Sequence, residues 1–375
     1  MKVYYWSPHT SHVATIKAVY NSALSLLRYG KHHVTIVNAN GEWDNSNLPN
    51  ISIINLFKKI YFKTYPRIGY LNSRFAYIYI FIKCFLPLKN LIKKEKPDYL
   101  IIHLITLLPL VLLILFKFET KVILRISGLP RLNIFRKFIW KLASSKLYYI
   151  SAPTQTTLEY IKSLNIFDEK KIIFLPDPVY QIRDVVIKKK EKIYNLLEKN
   201  KKIIISVGRL TKQKNYSFLI RAFYEIKKID NSFKLLIIGE GEQKKYIQSL
   251  ILKFNLVNDV FLMGFVENIF KYIEISDLAI SVALWEDPGF FIIESGILNK
   301  PIISSDCPNS PKELLSKGLG GYLFENNSLE NLLDNFKIYL KDDEHERKKK
   351  ILVSKNKFKT FSIFNHFLIL NKIIL

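Results

Sequence analysis

IIISVGRLTKQKN (residues 203–215) sets an apolar, isoleucine-rich run directly against a glycine, an arginine and two lysines. A short apolar run bounded by turn residues reads as a strand buried on both faces of a parallel sheet. At the carboxyl end of such a strand the chain meets a crevice in which ligands bind. Gly208 permits a tight turn there, Arg209 offers a planar fork of donors and Lys214 a point charge. That combination suits a diphosphate. The same residues alone also fit a solvated strand-to-helix loop, so the neighbouring segments decide between the two.

The second constellation is WEDPGFFIIESG (285–296). Pro288 and Gly289 form a turn, which predicts a helix over 290–298 whose first amides, beginning at Phe290, can receive an anion. Glu286 lies before the turn, where it could bind a sugar hydroxyl. Glu294, one turn into the helix, is poorly placed for phosphate and well placed to accept hydrogen bonds from hydroxyls such as those of a ribose. Two carboxylates on a solvated helix face would give the same pattern.

Outward from these motifs, short β-branched and aromatic runs alternate with helical patterns, which predicts α/β domains with parallel sheets. In the second half the strands are expected at 203–208, 233–239, 259–265, 277–283 and 301–306. In the first half they are expected at 2–6, 33–38, 99–103, 121–126 and 147–152, with a helix over 14–29. The charge-rich stretch around KKKEK and EKNKK marks a boundary. It divides the chain into an N-terminal domain over 1–182, a linker over 183–200 and a second domain over 201–375, with the last helix free to cross back. The thirteen uncharged residues Leu104–Phe116 are too few for a membrane span and read as a core helix that Pro109 could start.

The 375 residues carry 57 Lys and Arg against 32 Asp and Glu, a net charge of +25. Residues 1–180 hold 25 basic and 9 acidic side chains, or +16, so the first half is the more basic. From Phe57 to Lys96 ten basic residues face Glu95 alone and are interleaved with Phe, Tyr, Ile and Leu, a mixture suited to an anionic headgroup interface and equally to ordinary solvated helix faces. Two cysteines, Cys84 and Cys307, are too few for a disulfide framework, and the N-terminus lacks the pattern of a signal peptide. The expectation is a cytoplasmic protein, peripheral on the inner face of the membrane. A basic nucleic-acid-binding protein is the alternative that the charge permits, although no nucleic-acid-binding motif is present. A nicotinamide dehydrogenase would need G-x-G-x-x-G after the first strand, which is missing.

Taken together, the two constellations resemble the family 4 retaining glycosyltransferases of the GT-B fold. VGRLTKQKN resembles that family's arginine and lysine loop, and IIGEGEQ (237–243) its second strand and glycine turn. MGFVEN (263–268) is similar to the loop against which the nucleotide base packs, and residues 276–315 to the glutamate motif with its succeeding strand and loop. The resemblance implies two tandem Rossmann-like domains facing a central cleft, and transfer of a sugar from a nucleoside-diphosphate-sugar with retention of configuration. It implies no cofactor and no metal. Arg209 and Lys214 would hold the diphosphate, Glu286 the donor sugar and Glu294 the ribose. Gly208, Gly289 and Phe290 would line the donor site, and Phe265 would meet the base.

In the first half, RISGLPRLNIFRKFIWK (125–141) and SPHTSHVA (7–14) resemble bacterial members that build lipopolysaccharide, O-antigen or capsule. That likeness implies a lipid-linked or polysaccharide acceptor. Two departures stand out: residues 7–12 lack the family's usual glycine pair, and Ser127 stands where many members have a histidine. His9, His12, His103 and Arg125 are the acceptor-side candidates.

Overall fold

The computed structural model describes residues 1–9, 14–44, 51–57, 70–130, 132–193 and 201–375. These form two compact units, Met1–Pro178 with Ile363–Leu375, and Val179–Ser362. The charge pattern predicts a boundary after residue 182 and a linker over 183–200. The units instead divide after Pro178, and the stretch expected as linker contains part of a helix belonging to the second unit.

The first unit runs β1 (Lys2–Trp6), α1 (Ala14–Gly30), β2 (His33–Asn38), β3 (Ser52–Asn55), α2 (Tyr70–Glu95), β4 (Tyr99–Ile102) and α3 (Leu107–Leu115). It continues with β5 (Lys121–Arg125), α4 (Ile134–Ser144), β6 (Tyr149–Ala152), α5 (Gln155–Ser163) and β7 (Ile172–Phe174). Its seven strands are ordered β3-β2-β1-β4-β5-β6-β7 and every pairing is parallel. One face is covered by α2, α3 and α4, with Ile80, Cys84, Leu88, Leu112 and Trp140 buried against Trp6, Leu100 and Leu124. The other face is covered by α1 and by the last helix of the chain, whose Phe367, Leu370 and Ile374 pack with Val3, Tyr5 and Leu26.

The helix expected to begin at Pro109 starts at Leu107, after Thr106, and leaves Pro109 in the first turn. Proline is tolerated there because the first amides of a helix have no intrahelical partner.

The second unit runs α6 (Ile182–Lys188), β8 (Lys202–Val207), α7 (Tyr216–Ile229), β9 (Phe233–Ile238), α8 (Lys244–Lys253), β10 (Val260–Leu262), α9 (Phe270–Ile275) and β11 (Leu278–Ser281). Then come α10 (Phe290–Ile297), β12 (Ile302–Asp306), α11 (Pro311–Leu314), β13 (Tyr322–Glu325), α12 (Leu329–Lys341) and α13 (Glu344–Phe358); α14 (Ile363–Ile374) belongs to the first unit. The sheet order is β10-β9-β8-β11-β12-β13, again parallel throughout. Strand order reverses between β8 and β11. The crevice at the carboxyl ends of those two strands is the topological switch point at which doubly wound sheets bind ligands. Helix α10, which comes after β11, is buried over its whole length. Gly296 lets it approach α13, since a Cβ there would stand 2.0 Å from Phe358 Cε2.

Candidate active site

The site grows out of the end of β8. Gly208 continues the ladder by donating to Ile238 O (2.9 Å), and Leu210 N donates to Glu240 O (2.9 Å). The loop is shaped by two glycines beyond the end of β9. A Cβ on Gly239, whose φ is +146°, would stand 1.9 Å from Gly208 O, and one on Gly241 would stand 2.3 Å from Leu210 O. Gly239 N in turn donates to Gly264 O (2.8 Å), which ties in the loop after β10 where Phe265 lies 76% exposed. Three segments distant in sequence are thereby held together at one end of the sheet.

Arg209 is exposed and donates through Nη2 to Gln213 Oε1 (3.3 Å). Gln213 binds the loop after β11 twice: its Nε2 donates to Trp285 O (3.0 Å) and its main-chain carbonyl accepts from Leu284 N (2.8 Å). Lys214 closes a single 3-10 turn, after which Asn215, at φ +54°, starts α7. From sequence both cations are expected to face solvent; that holds for Arg209 but not for Lys214. The Lys214 side chain is 18% exposed, and its Nζ lies 2.5 Å from Glu286 Oε1.

Glu286 is 4% exposed and Glu294 5%, so neither carboxylate lies on a solvated helix face. Ser310 Oγ fixes the loop around Glu286 by donating to Pro288 O (2.8 Å), and Asn309 hydrogen-bonds Asp287. Gly289 caps α10 at φ +86°, a backbone conformation that favours glycine, and places the first amides of the helix, those of Phe290 and Phe291, at the same end of the sheet. Burial, with the Glu286 charge nearby, pushes the Cys307 thiol up to about 12, so it stays neutral. Gly208, Arg209, Lys214, Glu286, Gly289 and Phe290 thus gather at the switch point, with Glu294 one turn inside α10 and Phe265 on an adjoining loop. Among the described residues no group of three or more His, Cys, Asp or Glu side chains could hold a metal ion.

The candidates in the first unit divide differently. His12 lies outside the described residues. His9 packs edge-on against Trp43, with ring centroids 5.0 Å apart. Arg125 and His103 are buried in the core, and Arg125 Nη2 lies 2.5 Å from Asp177 Oδ1. Nearby on α14, His366 pairs with Ser22 Oγ (2.8 Å) and Pro176 O (2.7 Å).

Sequence reasoning missed Glu42, whose carboxylate accepts from Ala39 N (3.0 Å) and Asn40 N (2.6 Å), while burial pushes it up to about 7. An acid following a turn of small and polar residues gives no signal of burial, so nothing in the sequence marked it.

Burial, and then the Arg125 charge, hold both His103 and His366 well below the usual histidine range. Both are neutral in the fold but titrate near 6.5 once unfolded. Their contribution to stability is therefore complete above that value and is lost as the pH falls below it. The slope is at most about 1.4 kcal/mol per pH unit for each histidine. Glu42, held up to about 7, takes up a proton in the fold over the same range and offsets about one histidine, so thermal melts of the full chain from about pH 8 to pH 5 should show the first unit weakening below pH ~6.5 with the net slope of the other, and His103→Gln should flatten that decline. A wild-type profile as flat as the variant's would contradict the assignment.

Residues 187–352 match the family of glycosyl transferases group 1. An uncharacterized glycosyltransferase of Methanocaldococcus jannaschii is 32% identical over 244 residues, covering 60% of each chain. A Campylobacter jejuni N-acetylgalactosaminyltransferase, named for a diphospho-undecaprenol-linked substrate, is 33% identical over 159 residues, 42% of this chain and 41% of that one. The chain thus spans less than two thirds of each relative's length. The crystal structure of Anabaena HepE in complex with UDP and glucose superposes at a TM-score of 0.74 with 14% identity, covering 99% of this chain and 98% of that one. Two parallel α/β units with neighbours of this kind establish the GT-B fold, as the sequence led us to expect.

Proposed function

With residues 187–352 matching the group 1 glycosyl transferases, we propose that the chain is a retaining glycosyltransferase. It would move a sugar from a nucleoside-diphosphate-sugar to a lipid-linked or polysaccharide acceptor in cell-surface glycan synthesis, at the cytoplasmic face of the membrane. The observation that carries the proposal is the gathering of Arg209, Lys214, Glu286 and the α10 amides at the switch point of the second sheet. The UDP and glucose bound by HepE and the lipid-linked substrate of the Campylobacter relative fit the proposed donor and acceptor classes.

In this proposal Arg209 and Lys214 hold the diphosphate, and the α10 amides of Phe290 and Phe291 add their partial positive charge. Arriving phosphate oxygens draw Lys214 from Glu286, whose carboxylate then accepts from a donor-sugar hydroxyl. Phe265 packs on the base, and Glu294 accepts from the ribose. The bond from the anomeric carbon to the diphosphate oxygen breaks. The acceptor oxygen bonds to that carbon on the same face, and the acceptor's proton passes to the departing phosphate oxygen. No protein nucleophile is needed, and the two cations neutralise the leaving charge without calling on a divalent ion. Catalysis is electrostatic, from groups fixed where negative charge develops.

The experiment is a panel of UDP-, GDP- and dTDP-sugars incubated with the protein and membrane lipid extract, with the anomeric configuration of any product read by NMR. Transfer with retention supports the reading. Inversion, or no transfer from any donor together with tight RNA binding, counts against it.

A further inference from the structure

We propose that the outer face of α2 and α4 in the first unit is a docking surface for an anionic phospholipid bilayer. This inference stands on exposure and charge and does not depend on the transfer reaction. Over the 21 residues Phe75–Glu95, helix α2 is long and apolar enough to cross a membrane by length and composition, with a mean hydropathy of 1.5 in its most apolar stretch of 18 residues. Its inner side is already committed, because Ala76, Ile80, Cys84, Leu88 and Ile92 are buried in the core of the unit. That core is shared with Leu100 and Leu124 of the parallel sheet, and an open sheet is not accommodated in the hydrocarbon region of a bilayer. What remains is an outward ridge of Phe75, Ile78, Ile82 and Leu86, each at least 57% exposed. These positions recur at the spacing of one helix face, and the ridge then gives way to Lys89 and Lys93, whose ammonium groups lie over the ring of Phe116.

Helix α4 repeats the design. It buries Ile139, Trp140 and Ala143 and turns Ile134, Phe135, Phe138 and Leu142 outward, Ile134 at 89% exposure. Lys137 and Lys141 are exposed on the same outward side. Asn133 caps the helix by accepting from Arg136 N (2.8 Å), so its exposed apolar face belongs to an ordered helix. Because α3 packs between α2 and α4 on one side of the sheet, both faces belong to a single layer.

An amphipathic helix with aromatic and aliphatic residues beside lysines sinks its apolar side to the headgroup boundary and leaves the amines among anionic phosphates. The charge on these helices selects that occupant over a second copy of the chain. Helix α2 carries five basic residues and one acid, Glu95, which is paired with Lys2 (2.7 Å), and α4 carries three basic residues and no acid. Two copies meeting through this face would set lysines against lysines, whereas anionic headgroups neutralise them.

The test is co-sedimentation of the full chain with vesicles of phosphatidylcholine alone, or with about 30 mol% phosphatidylglycerol, at low and at about 0.5 M salt. The wild type should bind the anionic vesicles and not the neutral ones, and salt should weaken the binding. Ile82→Ser/Phe138→Ser and Lys137→Gln/Lys141→Gln should each lower the partition coefficient roughly tenfold or more with melting unchanged. Equal binding to neutral vesicles in high salt would overturn the proposal, as would wild-type partitioning by both double variants. So would a wild-type dimer that ignores vesicles and is split by Ile82→Ser/Phe138→Ser. The lipid and salt dependence of the wild type decides the matter even if a variant folds poorly.

Discussion

Lys214→Ala should lower transfer turnover by roughly two to three orders of magnitude, about 3 to 4 kcal/mol of transition-state stabilisation, and should also destabilise the second unit. The turnover loss follows from removing a preorganised cation from the proposed leaving diphosphate. The stability loss follows from geometry: Glu286 is 4% exposed and holds Lys214 at 2.5 Å, so truncating the lysine strands a buried carboxylate. Removing one member of a buried pair costs about 3 to 5 kcal/mol, whereas replacing both by apolar groups of similar size is often neutral. Lys214→Met/Glu286→Leu should therefore recover most of the lost stability and none of the turnover. Arg209→Ala removes an exposed side chain and should impair turnover with little change in melting. If Lys214→Ala kept wild-type turnover, or if the double variant regained it, the cationic role would be wrong.

The second large effect is expected at Gly239. A methyl group there would stand 1.9 Å from Gly208 O, at a φ of +146° that L residues rarely adopt. The obstacle is backbone carbonyl, so no side-chain rotation relieves it. Gly239→Ala should cost on the order of 3 kcal/mol, and the Arg209 loop should lose its position. Gly318→Ala provides the control, since Gly318 has a φ of +96° but nothing within 4 Å of an added Cβ. It carries the dihedral cost alone, about 1 to 2 kcal/mol. Comparable melting shifts in the two variants would show that the close approach to Gly208 contributes nothing.

Much of the architecture was legible because the central strands are buried on both faces and so read as continuous apolar runs. KVYYW and HVTIVN are found as β1 and β2 with the expected bounds. The strands that escaped notice, β3 (SIIN), β7 (IIF) and β13 (YLFE), are all at sheet edges. Each has four residues or fewer and incomplete burial, which leaves too short a pattern to distinguish from loop. In the site, Gly208, Arg209 and Lys214 were legible from their place after an apolar strand, and Glu286 and Gly289 from the turn before a helix. The ion pair between Lys214 and Glu286 was not, because it joins residues 72 apart and depends on which strands become neighbours. In the first unit, Arg125 and His103 looked like polar candidates at strand ends. Their burial against Asp177 and α14 came from packing that local pattern does not encode.

The central claim is that the end of the second sheet binds a nucleoside diphosphate. Calorimetric titration of UDP, GDP and dTDP into the wild type and into Arg209→Ala, Glu294→Ala and Glu294→Gln tests it most directly. At least one of these ligands should bind the wild type and bind Arg209→Ala at least tenfold more weakly. Glu294→Ala should lose about 1 to 3 kcal/mol and Glu294→Gln less, because the amide keeps part of the hydrogen bonding to the ribose. Wild-type protein that binds none of the three diphosphates, or binding that all three variants leave unchanged, would contradict the account.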